Sequence, residues 1–465
     1  MRLLRRYPEI FILTLFALIS RLWDVFSPAS VVFDEVYFKV YAGDYLTGSY
    51  YFDPHPPLGK LLLGGWAWIF HLNPTNLINT TQASVALRVL PALAGAAIIP
   101  VFYLFLRALG ASRRMCALGA ALLLLDNALL VESRFVLVDS MLILFGLASV
   151  TFYLWARRKN KYKLILLSFS AVFGGLAAST KWTGLTALSI VGGIWLFDHI
   201  KLRGSYTWSR HIYEACLLIL IPVIVYLSVF FIHFSLLPRT GQGDAFMPSD
   251  FQHTLIGNES YSKDAHLSFI HKFIELNVEM VQSEDGLKTA THPYGSKWTS
   301  WPLMIRDVYY WQGNTLSDGR QGNIYLLGNP VVWWGILLII IVGVFASAKA
   351  INRLRPFRFA LVTIIIGYAL NYLPFTRIIR VMFLYHYFFA LIYSLAFAVL
   401  LLGTLANWTD HDDKFWYFSS YASRNLYVGV LITGLIGFLY FLPLSYGIPI
   451  SQSNLMHHMW LNTWR

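Results

Sequence analysis

The chain is predicted to be an all-α polytopic membrane protein with about eleven transmembrane helices, on three observations. It is 57% hydrophobic and only 13% charged, whereas a soluble domain is nearer a quarter charged. Apolar runs long enough to cross a bilayer recur along all 465 residues. Lysine and arginine cluster on every second connection between those runs, as cytoplasmic loops do. The net charge of +12 therefore follows from membrane topology and does not call for a nucleic-acid partner.

Arg2, Arg5 and Arg6 precede the first apolar run, about residues 8–22, which places the N-terminus in the cytoplasm. No small-residue cleavage pattern follows that run, so it is read as a retained span. Residues 23–85 form an outer loop. Within it, 58–72 is apolar but about 15 residues long, and the membrane interface suits it better than a crossing. Spans follow at about 86–107, 115–131, 135–156, 164–179, 185–198 and 212–236. Their inner turns carry Arg107, Arg113 and Arg114, then Arg157, Arg158, Lys159, Lys161 and Lys163, then Lys201, Arg203 and Arg210.

Residues 237–330 are one long polar outer segment with an amphipathic stretch at 265–282, and loops of that length are usually functional. The remaining spans are about 331–348, 359–375, 381–403 and 425–445. Lys349, Arg353, Arg355 and Arg358 lie inside, as does the mixed turn 405–424 with Asp410, Asp412, Asp413 and Lys414. The C-terminus falls outside. The chain divides into an N-terminal membrane module (1–236) bearing the outer loop 23–85, a long outer loop (237–330) and a C-terminal membrane module (331–465).

The outer face holds charges that topology does not explain. The stretch 33–60, FDEVYFKVYAGDYLTGSYYFDPHPPLGK, opens with Asp34 and Glu35 and ends in a His55-Pro-Pro turn and Lys60. Arg88, Arg134, Asp139, Lys181, Arg377, Arg380 and His386 each fall at or near the outer end of a different span. Charges pressed against a bilayer are costly and mark function. Grouped cations suit a lipid-borne phosphate, and a carboxylate beside them suits proton removal from a hydroxyl. Adjacent residues face different ways, so only one of Asp34 and Glu35 can meet a substrate. The other can hold the loop by pairing with a cation.

Each residue alone has a plainer role: Arg88 a snorkelling side chain, His386 a packing histidine, Asp139 a partner for Arg134, His55 a turn residue. The case rests on the set. Gly59-Lys60 lacks the upstream glycine and Ser/Thr of a phosphate loop. Cys116 and Cys216 lack metal-site spacing, and neither a disulfide nor a metal is expected.

Several motifs together resemble those of the protein O-mannosyltransferase family: FDEVYF (33–38), YYFDPHPPLGKLLL (50–63), LRVLPALAGAAIIPVFY (87–103), ESRFVLVDSMLILF (132–145), STKWTGL (179–185), THPYGSKWTSWP (291–302) and RVMFLYHYFFAL (380–391). The resemblance implies a GT-C glycosyltransferase fold and an inverting transfer of mannose from polyprenyl-phosphate mannose to Ser or Thr of a protein acceptor, without a cofactor. It implies that Asp34 is the catalytic base with Glu35 beside it. Arg88, Arg134, Lys181, Arg380 and His386 would face the donor phosphate or shape its site. Arg21, His55, Lys60 and Asp139 would be structural or lie with His292 and Lys297 on the acceptor side.

The chain departs from the family in having Tyr385-His386 where a His-His pair is frequent. Residues 237–330 are too few for the β-trefoil insert of the eukaryotic members. Bacterial members are similar in lacking it, so a plasma membrane with the site on its extracytoplasmic side is expected. A lipid or glycan acceptor is the alternative for the same fold. A transporter is disfavoured, because the charges gather at one face and not at the midplane of repeated, interrupted helices.

Overall fold

The computed structural model describes residues 7–79, 84–158, 160–201, 208–286, 290–408 and 415–464; the side chains at 160, 201, 208, 210, 284–286 and 347–351 are outside the description. The basic residues Arg2, Arg5, Arg6, Lys159 and Arg203, the side chains of Lys201, Arg210 and Lys349, and the charges of 409–414 therefore lie outside the described residues.

The helices used below are α1 (Pro8–Leu22), α2 (Glu35–Thr47), α3 (Leu58–Ile69), α4 (Val89–Ala108), α5 (Arg113–Leu124), α6 (Asn127–Arg134), α7 (Asp139–Arg158), α8 (Lys163–Thr180), α9 (Leu185–Lys201), α10 (Trp208–Leu236), α11 (Phe269–Gly286), α12 (Pro330–Leu354), α13 (Arg358–Tyr372), α14 (Phe388–Leu405) and α15 (Tyr421–Tyr446). Every predicted span overlaps helix, and one of them is broken. Eight helical stretches among the described residues are long and apolar enough to cross a membrane, or nine if the bent pair α5–α6 is one span. The first helix is shorter, at 15 residues, and α12 has 25 residues, of which the described apolar part is Pro330–Ala346. As expected, 58–72 is a short apolar helix (α3), and the amphipathic stretch is a helix displaced slightly toward the C-terminus (α11).

The expected continuous span 115–131 is a correction. It breaks by 60° between α5 and α6. Asp126 leaves helical geometry and its carboxylate accepts the Leu129 N–H at 2.8 Å, starting a new helix. Unpaired backbone is costly inside a bilayer unless protein satisfies it. Asn329 does so, donating to Leu125 O at 2.9 Å, while Trp333 donates to Asp126 at 2.6 Å.

The long outer loop is more ordered than its polar sequence implied. It contains an antiparallel hairpin, β1 (Val308–Gln312) with β2 (Asn323–Leu326), bulged between Tyr309 and Trp311. Its aromatic and β-branched residues carried the signal, which is weak in short strands set among helices. One hydrophobic core extends from Ala17 to Trp464, so both membrane modules share it. A second joins the first outer loop (Tyr45, Tyr50, Tyr51, Phe52) to the long one (Phe251, Leu276, Met280). There Gly241 and Gly243 lie so close to the 50–52 backbone that a Cβ on either would collide with it. The long loop thus braces the segment that carries the two carboxylates.

Candidate active site

Phe33 sits in the left-handed region at φ +48, a conformation that costs energy for a bulky residue. The hairpin pins it: its N–H donates to Tyr310 O at 3.3 Å and its ring stacks on Tyr310 at 4.2 Å. The turn puts Asp34 at the helix N-cap position and Glu35 in the first turn of α2, facing different ways.

Glu35 is buried and fully used. Its carboxylate accepts Arg88 Nε at 2.7 Å, Arg88 Nη2 at 2.8 Å, and the N–H groups of Val136 and Val32 at 2.9 Å each. Arg88 is fully buried. Its remaining donors go to the carbonyls of Val25 (3.4 Å), Pro28 (2.8 Å) and Ser30 (3.0 Å). Of the two adjacent carboxylates, Glu35 is therefore the one that holds the loop by pairing with a cation, and every N–H group of the Arg88 guanidinium is taken within the protein. Both lock the first outer loop to the neighbouring helices.

Arg134 is likewise enclosed by protein. It is fully buried, donates to the carbonyls of Ser445 (3.3 Å), Trp23 (3.2 Å) and Asp24 (2.7 Å), and its guanidinium lies 3.9 Å from the Tyr446 ring centroid. It lines neither of the two large cavities described below. Arg21 is buried and donates to Ser20 Oγ and Leu124 O.

Asp34 differs. No described residue donates a hydrogen bond to its carboxylate, which lines a cavity of about 390 Å³ with Asp53, His55, Glu132, Asp139, Lys181 and Tyr385. Burial pushes its pKa up to about 6; Lys181 pulls it down, while Asp139 and Asp53 push it further up. A second cavity of about 470 Å³, mostly apolar, adjoins it. His55, Asp139, Lys181 and Tyr385 border both cavities, and Arg380 and His386 border the second.

The wall between the cavities is built by short ties. Lys181, where α8 ends in extended backbone, places Nζ 2.9 and 2.7 Å from the two Asp139 oxygens at the start of α7. Asp139 pairs with this lysine and not with Arg134. Lys60 donates to Asp53 and to His55 O, each at 2.7 Å, fixing the His-Pro-Pro turn. Burial alone would raise the Asp53 pKa, but the Lys60 ammonium and His55 hold it below the usual range. Burial drives the His55 pKa down to about 3, with Asp53 opposing and Lys181, Lys60 and Arg380 reinforcing it, so the ring is neutral at pH 7. His386 uses Nδ1 on the backbone of Phe383 and stacks on Trp301 at 5.9 Å.

His292 and Lys297 are exposed and line neither cavity. Their loop is tied to the cation segment: Ser296 N–H donates to Met382 O at 2.8 Å, and Ser296 Oγ accepts Trp301 Nε1 at 2.9 Å. Sequence reasoning overlooked Asp53, Glu132 and Tyr385 as cavity residues. All three lie inside quoted motifs, but as neighbours of louder residues. Glu132 accepts the Tyr310 hydroxyl at 2.7 Å. Among the described residues, no three His, Cys, Asp or Glu side chains are grouped to hold a metal ion.

The family model described as "Dolichyl-phosphate-mannose-protein mannosyltransferase" matches residues 11–238. The model described as "C-terminal four TMM region of protein-O-mannosyltransferase" matches residues 269–464. A dolichyl-phosphate-mannose–protein mannosyltransferase 4 of Candida albicans is 30% identical over 67% of this chain and 42% of its own length. A protein O-mannosyl-transferase 1 of Danio rerio is 33% identical over 69% of this chain and 46% of its own. The chain therefore spans less than half the length of these curated relatives.

Among solved structures, the Saccharomyces cerevisiae protein O-mannosyltransferase Pmt1–Pmt2 complex bound to the sugar donor superposes with a TM-score of 0.88 at 19% identity, covering 99% of this chain and 93% of that one. ArnT of Cupriavidus metallidurans, bound to undecaprenyl phosphate, superposes at 0.53 with 15% identity, covering 95% and 76%. At these identities the likeness concerns the fold, which is GT-C.

Proposed function

The chain belongs to the protein O-mannosyltransferase family, and from that premise we propose that it transfers mannose from polyprenyl-phosphate mannose to Ser or Thr hydroxyls of a protein, with inversion, on the extracytoplasmic side of a plasma membrane. The observation that carries the reading is the Asp34 carboxylate, which has no hydrogen-bond partner among the described residues, lines a cavity and stands beside the Lys181 wall. A general base works best unpaired and with a pKa near its working pH, and the open setting and raised pKa of Asp34 support that role.

In this reading the isoprenoid lies in the larger apolar cavity, and the donor phosphate meets Lys181, Arg380 and His386 where the two cavities join. The sugar reaches into the smaller cavity. The acceptor hydroxyl loses its proton to Asp34 as its oxygen attacks the anomeric carbon. The bond from that carbon to the phosphate oxygen breaks, and polyprenyl phosphate leaves with its charge held by the cations. Direct attack converts a β-linked donor into an α-linked product. Asp139 keeps the Lys181 ammonium at the wall. Neutral His55 adds no positive charge that would further lower the basicity of Asp34.

The test is transfer in proteoliposomes containing polyprenyl-phosphate mannose labelled in the sugar and a Ser/Thr-rich peptide. Label in the peptide, lost from the lipid in equal amount, is the expected outcome. Label moved into a lipid or glycan acceptor and none into peptide would replace the protein acceptor.

A further inference from the structure

We propose that α11, although it belongs to the long outer loop, is embedded in the outer leaflet, so that acyl chains and not water border the larger cavity at Val281. The first observation is an inverted amphipathic pattern. Ile270, Ile274, Val278 and Val281 recur at helical spacing and are 48–55% exposed. Lys272, Glu275 and Glu279 are turned toward the protein and partly covered. Among the described side chains of α11, His271 and Gln282, near its two ends, are the exposed polar ones. A helix in water shows the opposite arrangement, and a helix in hydrocarbon shows this one.

The second observation is depth. α11 runs antiparallel beside the outer end of α10. Phe269 meets Phe231 and Phe234 (5.6 and 6.3 Å), Phe273 meets Phe230 and Tyr226 (5.1 and 6.0 Å), and Asn277 accepts the Tyr226 hydroxyl at 2.8 Å. The Tyr226 hydroxyl also accepts the Trp182 indole N–H at 3.0 Å, level with the outer end of α8, so the part of α11 beyond Asn277, with Val278 and Val281, runs inward from that level. α10 exposes Ile219, Ile224, Phe231 and Ile232, the face of a span in lipid. The apolar stripe of α11 is continuous with that face.

The third is position. Val281, at the inner end of the stripe, lines the larger cavity with Leu370, Ile378 and Phe389. α11 thus forms one jamb of that cavity, and an isoprenoid moving sideways from the bilayer passes it; this clause rests on the transfer reading above.

The test uses the full chain in phospholipid vesicles, with Cys116 and Cys216 replaced by Ala and a nitroxide attached at Val278→Cys or, as the aqueous reference, Ser262→Cys. The label at 278 is expected to collide more with dissolved oxygen than with a water-soluble nickel chelate, and the label at 262 the reverse. A label at 278 that meets the chelate as readily as the one at 262 would overturn the placement. This contrast needs no transfer activity, so it stands or falls separately from the enzyme reading.

For the jamb, Ile274→Asp is expected to lower transfer from a long polyprenyl donor in vesicles at least tenfold. A water-soluble two-isoprene donor should be used within twofold of the parent rate. An equal fall with both donors would overturn the lateral-entry role.

Discussion

Asp34 and Glu35 are neighbours in sequence and opposites in surroundings. The Glu35–Arg88 cluster is dry and complete: one carboxylate takes four donors, and one guanidinium has every N–H group placed. The Asp34–Lys181 region is open. Its carboxylate takes none from the described residues, and its cation is half committed, to Asp139, at the edge of two cavities. A buried charge with all its hydrogen bonds made holds a fold together. A charge at a cavity wall with capacity left over can meet a substrate. The pairing, not the charge, separates the two roles.

The largest expected effect comes from breaking the complete region. Arg88→Met leaves Glu35 buried without its partner and three backbone carbonyls without donors. Breaking a buried pair costs about 3–5 kcal/mol, against about 5–15 kcal/mol of total stability. The variant should lose its monodisperse peak in detergent size exclusion, whereas a folded variant that merely binds donor poorly would return Arg88 to the phosphate site.

Next is Asp34→Asn, which should lower kcat by about 100- to 10,000-fold with the chromatographic peak unchanged. The direction of its stability effect sharpens the contrast with Arg88. The raised folded-state pKa, about 6, means that the folded protein favours the protonated form. That favourable contribution is present below the unfolded value and is lost as pH rises through about 6. The Asn variant should therefore melt higher than the parent at pH 7.5, with no advantage at pH 4. In the parent chain, kcat/KM for the proposed transfer should fall as pH drops below about 6. A profile flat to pH 5 would remove Asp34 as the titrating base.

How much of this was legible in the sequence follows from the same contrast. The helices were, because apolar runs bounded by basic turns read directly as spans. The convergence of Asp34, Asp139, Lys181, Arg380 and His386 was, because outer-face charges have few other reasons to exist. The surroundings of Arg88 and Arg134 were not, because a sequence shows where an arginine lies along a span and not which carbonyls surround it. The break at Asp126 was hidden because its remedy, Asn329, lies some two hundred residues away. The hairpin was hidden because the stack of Tyr310 on Phe33 that gives it purpose is a long-range contact.

The smallest expected effect concerns the rim. Lys297 is exposed, outside both cavities, and precedes the short helical turn Trp298–Ser300. Replacing it by Ala removes a solvated charge, which alters stability by no more than about 0.5 kcal/mol. Any contact it makes with an acceptor peptide is screened by water, so about 0–1 kcal/mol is at stake, a shift in peptide KM of up to about fivefold. The donor KM should not move, because Ser296, Trp301 and the Met382 backbone, and not the Lys297 side chain, tie this loop to the His386 segment. A change in donor KM larger than that in peptide KM would place Lys297 with Lys181 in the open region, and the division between rim and cavity wall would have to be redrawn.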